Sequence, residues 1–224
     1  MPPHSQPRGI LFDLDGTLLH TAPDLVKAIN QLRHEYHLAA LPFESAISMV
    51  GKGAQNLVKR ALADALTTVD LTMAYQQFSQ HYHAINGDST EEYAEVTNGL
   101  SALYRAGFKL AIVTNKPSEF TLPLLTQFGW KEYFGSIVCG DTLTHKKPHP
   151  APILHACSEL DISVSEALMV GDSMNDVLAA QAANCQCVVF NYGYNEGVAI
   201  EHALTQNNTV RIFSHFDQLV ASLS

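Results

Sequence analysis

A chain of 224 residues, 46% of them hydrophobic, is long enough for one sizeable core, or for a core with a small second domain. Its 13 Lys and Arg against 22 Asp and Glu give a net charge of −9, so no global basic field draws it to nucleic acid or to an anionic membrane. No apolar run approaches the length of a membrane span, and Cys139, Cys157, Cys185 and Cys187 form no C-x-x-C pair; they are expected to be buried thiols of a cytoplasmic protein.

The first eight residues lack the apolar stretch of a signal sequence and are expected to form a short disordered tail. Ile10, Leu11 and Phe12 then make a continuous apolar run, which predicts a strand buried on both faces. It ends in Asp13-Leu14-Asp15-Gly16-Thr17. An ionised carboxylate at the edge of a core is costly unless paired. In an open parallel sheet, ligands sit at the C-terminal strand ends, so Asp13 and Asp15 are expected over a crevice. Two hard oxygen donors suit Mg²⁺. The other reading of these residues is an Asp-Gly turn closing the strand.

After Leu19 the strand pattern stops. Thr21, Pro23 and Asp24 predict a helix start, with Thr21 as cap and Asp24 near the positive dipole end; Leu25, Ile29, Leu32 and Tyr36 follow at helical spacing. A short helix is expected over 42–50, and Gly51-Lys52-Gly53 breaks it. Leu57, Ala61, Leu62 and Ala65 mark a third helix, and Leu71, Tyr75, Phe78 and Tyr82 a fourth. His81 and His83 lie two apart on that helix, cannot share a metal from one face, and read as ordinary helix residues. Gly87-Asp88-Ser89-Thr90 reads as the return linker.

From residue 98 strand and helix alternate. Asn98 is expected to cap a helix that Gly107 ends, and a strand follows over 109–115. Pro123 should kink or interrupt the helix expected over 117–128. Strands over 136–139, 167–172, 186–190 and 209–213 alternate with helices over 148–160, 173–183 and 215–223. This order implies an α/β fold: a doubly wound parallel core of residues 1–19 and 92–224, with a helical cap inserted over 20–91.

Three buried strands end in polar residues, Asp13-Leu14-Asp15, Thr114-Asn115 and Gly171-Asp172, and parallel strands place all three at one sheet edge. Thr144-His145-Lys146-Lys147-Pro148 is the densest local positive charge. Taken singly, Thr114 can be a strand end, Asp172 a helix cap and the lysines a solvated loop. Asp176, four residues after Asp172, returns to the same helix face. Together they offer metal ligands, a hydroxyl, an ammonium and a nucleophilic carboxylate, the set that phosphoryl transfer needs.

These stretches, with Lys147-Pro148-His149-Pro150 and Gly171-Asp172-Ser173-Met174-Asn175-Asp176, resemble the four motifs of the haloacid dehalogenase superfamily, in order and along nearly the whole chain. Gly51-Lys52-Gly53 and Tyr192-Gly193-Tyr194-Asn195 further resemble the bacterial phosphoglycolate phosphatase group, while His20-Thr21 and Ala94 depart from it, standing where the group usually has Asp-Ser and proline. The resemblance implies a Rossmann-like core with a type-1 cap, and Mg²⁺-dependent hydrolysis of a small phosphorylated metabolite, first of all 2-phosphoglycolate. It implies Asp13 as nucleophile, Asp15 as acid and base, and Mg²⁺ on Asp13, Asp172 and the main-chain carbonyl of Asp15, with Asp176 holding a metal-bound water. Thr114 and Lys147, with Gly16, Thr17 and Asn115, would bind the phosphoryl group, and Lys52 would meet the substrate carboxylate from the cap. The chain would be a monomer or homodimer. A phosphomutase, or a phosphatase for another ester or sugar phosphate, shares these residues. A dehalogenase would lack the acid at Asp15. A non-catalytic receiver domain shares the sheet, the metal and a phosphorylated Asp, but places adjacent acids on its first strand and has no helical insert.

Overall fold

The computed structural model describes residues 7–65, 69–205 and 210–223; most of the expected N-terminal tail, and the residue at which the last strand was expected to begin, lie outside them. Strand β1 (Gly9–Phe12) is buried throughout and runs into Asp13. After β2 (Leu19–His20) the insert holds helices α1 (Ala22–Glu35), α2 (Phe43–Ile47), α3 (Ala54–Ala61) and α4 (Leu71–Ile85), and no strand among its described residues. β3 (Glu91–Glu92) returns antiparallel to β2, with Leu19 opposite Glu92 and His20 opposite Glu91. The rest alternates: α5 (Val96–Arg105), β4 (Lys109–Val113), α6 (Ser118–Gln127), β5 (Phe134–Val138), α7 (Ala151–Glu159), β6 (Ala167–Gly171), α8 (Met174–Ala183), β7 (Gln186–Phe190), α9 (Ile200–Ala203), β8 (Arg211–Phe213) and α10 (Phe216–Leu223).

Among the described residues six strands form one parallel sheet in the order β5-β4-β1-β6-β7-β8. Phe12 lies opposite both Ile112 and Val170, so β1, β4 and β6 run out level with one another. Successive side chains of a strand face opposite ways, and here both faces are covered. Ile10 and Phe12 pack with Leu100, Phe216 and Leu219 of α5 and α10. Leu11 and Met169 pack with Ile153, Ala156, Ala179 and Ala180 of α7 and α8. The insert has its own cluster, built on Ile29, Leu57, Phe78 and Tyr82, which also takes in Phe120 and Tyr194 from the sheet domain. No helix among the described residues is long and apolar enough to cross a membrane.

Several local expectations are corrected. Asn98 lies inside α5; the helix starts at Val96, and the Glu92 carboxylate accepts from the Thr97 N–H and hydroxyl instead. α6 continues through Pro123 without a break. The Thr21 side chain makes no cap bond, because its hydroxyl serves Asp15. Asp24 does more than face a helix dipole: fully buried, its carboxylate accepts from Gly87 N (3.2 Å), Ser89 N (3.0 Å) and the Thr90 hydroxyl (2.7 Å), fastening the return linker to α1. Cys139 and Cys157 are buried, but Cys185 and Cys187 only partly so, and all four are free thiols.

Candidate active site

The level ends of β1, β4 and β6 bring the strand-end residues together, because each chain turns away where its apolar run stops. Asp13 follows β1, its amide bonded to Val170 O at 2.9 Å and its Oδ1 accepting from Leu14 N at 2.8 Å. Lys147 reaches in from the loop before α7, its Nζ 3.1 Å from Asp13 Oδ1 and 2.6 Å from Asp176 Oδ1. Asp176 is the third helical residue of α8, and its Oδ2 accepts from the Ser173 hydroxyl and from the Asp172 and Ser173 amides. Asp172 Oδ1 accepts from the Thr17 hydroxyl at 2.9 Å, and Oδ2 from Tyr194 N at 2.7 Å. Gly16, at φ +84°, and Gly193 pack so close to Asp172 that a Cβ on either would overlap it.

Between this edge and the insert lies a cavity partly open to solvent. Asp13, Asp15, Thr114, Asn115 and Lys116 line its core side. Leu25, Val50, Ala54 and Leu57 line its cap side. Asp15 turns from the acid cluster toward Thr21, whose hydroxyl donates to Oδ1 at 2.7 Å, and Lys116, whose Nζ lies 3.0 Å from the same oxygen. The Lys116 ammonium also donates to Tyr82 Oη of α4 at 2.7 Å.

The electrostatics are those of a site short of positive charge. Burial pushes the Asp13 carboxyl up to about 6, against the pull of Lys147, with Asp176 and Asp15 adding to the rise. Burial pushes Asp172 up to about 8, and Asp176 and Asp13 add to it. Burial alone would lower Lys147, but Asp13 and Asp176 outweigh it and hold the ammonium above its ordinary range. Asp13, Asp172 and Asp176 offer oxygens within 4.8 Å of one another, a cluster that can hold a metal ion. The donor set fits a hard divalent cation, which would supply the missing charge. Asp13 and Asp172 keep lone pairs for it. Asp176, which accepts four protein bonds, has few left.

The sequence expectations for the phosphoryl pocket divide. Asp13, Thr114 and Asn115 line the cavity, with Lys147 held against Asp13. Thr17 and Gly16 lie instead against Asp172, and line no part of the cavity. The Asn115 amide is taken up by main chain, donating to Gly51 O (3.0 Å) and Lys147 O (2.9 Å) and accepting from Lys147 N (2.9 Å), so it ties the cap loop to the core. Lys52 does not face the cavity: its Nζ lies 2.8 Å from Glu196 Oε2 at the surface, while the flanking Gly51 and Gly53 do line it. Sequence reasoning missed Lys116, Thr21 and Tyr82. Lys116 directly follows a polar strand end, the one local signal available; the others meet Asp15 only through the tertiary fold.

The chain's comparisons with known proteins agree with this geometry. Residues 10–190 match the model of the haloacid dehalogenase-like hydrolases. The phosphoglycolate phosphatase of Psychrobacter arcticus is 40% identical over 218 residues, covering 94% of this chain and 93% of that protein. That of Nitrosospira multiformis is 44% identical over 194 residues, covering 85% and 86%. A predicted phosphoglycolate phosphatase from Haemophilus somnus, known from its crystal structure, superimposes with a TM-score of 0.91 at 32% identity, covering 98% of this chain and 99% of that one. With its motifs, its sheet order and these relatives in accord, the chain belongs to the haloacid dehalogenase-like hydrolases.

Proposed function

We propose that the protein is a Mg²⁺-dependent phosphomonoesterase that works through an aspartyl-phosphate on Asp13, and that its substrate is 2-phosphoglycolate, released as glycolate and phosphate. The observation that carries the reading is the unlike setting of two acids on one cavity wall. Asp13 is held by Lys147, and Asp15 by Thr21 and Lys116. In the first step an Asp13 oxygen attacks phosphorus, the ester bond breaks, and protonated Asp15 gives its proton to the leaving oxygen. In the second, Asp15 takes a proton from water, whose oxygen attacks phosphorus and releases Asp13 and inorganic phosphate. Lys147 orients Asp13 and faces the transferring group. The Thr114 hydroxyl, which accepts from Lys116 N at 3.2 Å, keeps its own hydrogen to donate to a phosphoryl oxygen. Mg²⁺, held by Asp13, Asp172 and the Asp15 main-chain carbonyl, would neutralise charge on the phosphoryl oxygens. Asp176 fixes Lys147, and the apolar cap wall excludes water from the first step.

The names of the relatives support the choice of substrate. The free thiols support a reducing, cytoplasmic setting, and we take the working unit to be a monomer or homodimer. The test is phosphate release from 2-phosphoglycolate and a panel of other phosphomonoesters, with Mg²⁺ and with excess chelator. The reading requires the highest kcat/KM on 2-phosphoglycolate and no turnover in chelator. Equal rates across the panel would overturn the substrate, and full activity in chelator the metal.

A further inference from the structure

Of the side chains lining the cavity, Lys116 is the one cation among the described residues. It is 4% exposed, and its ammonium has three donors. Its acceptors among the described residues are Tyr82 Oη at 2.7 Å, Asp15 Oδ1 at 3.0 Å and, in a long and weak bond, Asp15 Oδ2 at 3.4 Å. Tyr82 is 1% exposed, and its hydroxyl, having accepted from Lys116, still has a hydrogen with no acceptor there. A weakly held N–H and an O–H donor therefore converge in a cavity whose facing wall is Leu25, Val50, Ala54 and Leu57. A donor left without a good acceptor in such surroundings is costly, and an anion would take the Tyr82 hydrogen and replace the long Lys116 bond to Asp15 Oδ2. Lys52, the cation expected to fill this role from the cap, is engaged with Glu196.

We propose that Lys116 and Tyr82 bind the carboxylate of the leaving group, and so select phosphate esters of small 2-hydroxycarboxylates. The proposal rests on the substrate reading above and adds the residues that enforce it. The proton on Asp15 goes to the ester oxygen, so that oxygen must lie against Asp15. The Lys116 ammonium contacts the same carboxyl group, one contact farther along the cavity. In 2-phosphoglycolate the carboxylate carbon is two bonds from the ester oxygen, which brings the carboxylate to the ammonium while the phosphoryl group faces Asp13. An ester with a neutral group at that position leaves the Tyr82 hydrogen and the weakly held Lys116 N–H without a charged acceptor. A Tyr82 hydroxyl from the cap makes the subsite complete only when cap and core are together, and the cation–π contact of Lys116 with the Tyr82 ring, at 4.7 Å, belongs to that same closed arrangement.

The experiment compares kcat/KM for 2-phosphoglycolate with that for 2-hydroxyethyl phosphate, in which a neutral hydroxymethyl group replaces the carboxylate. Lys116 also touches Asp15, so Lys116→Met will slow both substrates; the ratio of the two is the readout. A lost charge-assisted contact lowers that ratio by about ten- to a hundred-fold in Lys116→Met, and Tyr82→Phe lowers it by a smaller factor, chiefly through KM. Lys116→Arg, which keeps the charge, retains more of the ratio than Lys116→Met. Inhibition by the product glycolate weakens in both Lys116→Met and Tyr82→Phe, while inhibition by inorganic phosphate holds, and this reads binding without requiring turnover. A wild-type ratio near one would overturn the substrate reading itself. A high wild-type ratio that the variants leave unchanged, with both rates falling together, would overturn this proposal alone and reduce Lys116 to a support for Asp15. If Lys116→Met does not fold, Tyr82→Phe and Lys116→Arg decide the matter by the same ratio.

Discussion

Asp172 shows how narrowly a single carboxylate can be set. Thr17 and the Tyr194 amide each hold one of its oxygens, and Gly16 and Gly193 leave no room for a Cβ beside it. Gly193→Ala should therefore displace Asp172 and raise the Mg²⁺ concentration for half-maximal activity by about ten-fold or more, the usual cost of losing a support behind a metal ligand. A Mg²⁺ titration of turnover checks it; an unchanged midpoint would remove Gly193 from this role. Asp13→Asn should abolish turnover while leaving the thermal melt within a few degrees, since in the proposed mechanism Asp13 contributes a nucleophile and not packing. Phosphate release above about a tenth of wild type would contradict the covalent mechanism. At this scale the acids were legible in the sequence, because a carboxylate at the end of an apolar run has no packing reason to be there. Lys116 and Gly193 were not legible as site residues: Lys116 meets Tyr82 and Asp15 from 34 and 101 positions away, and spacing along the chain carries no trace of that.

At the scale of elements, the central strands are legible because β1, β4 and β6 are buried on both faces, and their continuous apolar runs admit few alternatives. Helix starts were read less well. Thr21 and Asn98 look like caps, but tertiary partners took the Thr21 hydroxyl, and a glutamate from β3 capped α5 in place of Asn98. The joint between β3 and α1 has its own anchor in Asp24. Asp24→Ala would leave two amides and a hydroxyl of the return linker without their acceptor, and should cost about 2–3 kcal/mol. Urea denaturation measures the loss; a change below about 0.5 kcal/mol would mean that water replaces the carboxylate.

For the whole molecule, the acid cluster is a stored repulsion that a cation relieves. Of the three clustered carboxylates, Asp13 and Asp176 share the Lys147 ammonium and Asp172 does not meet it, and Asp13 and Asp172 are pushed far above their ordinary range by burial and by their neighbouring acids. Mg²⁺ at about a hundred times its Kd should stabilise the folded chain by about 2.7 kcal/mol, visible as a rise in Tm. Asp172→Asn should reduce that rise while also relieving part of the repulsion in the metal-free protein. A Tm indifferent to Mg²⁺ would argue against the cluster as a metal site.

The two-residue ladder between β2 and β3 has a consequence for how such a chain can change. Leu19 faces Glu92 and His20 faces Glu91, so the path leaves the sheet domain and re-enters it within one strand spacing. A tight Asn-Gly turn placed between His20 and Glu91 would convert the ladder into an ordinary hairpin and close the main chain without moving β1 or β4. The intervening stretch is thus spliced in at a single seam, as a scion is set into a stock. Whatever is grafted there supplies the wall of the cavity that Tyr82 lines here, and the choice of leaving group can be rewritten by exchanging the scion while the rooted strands keep their register.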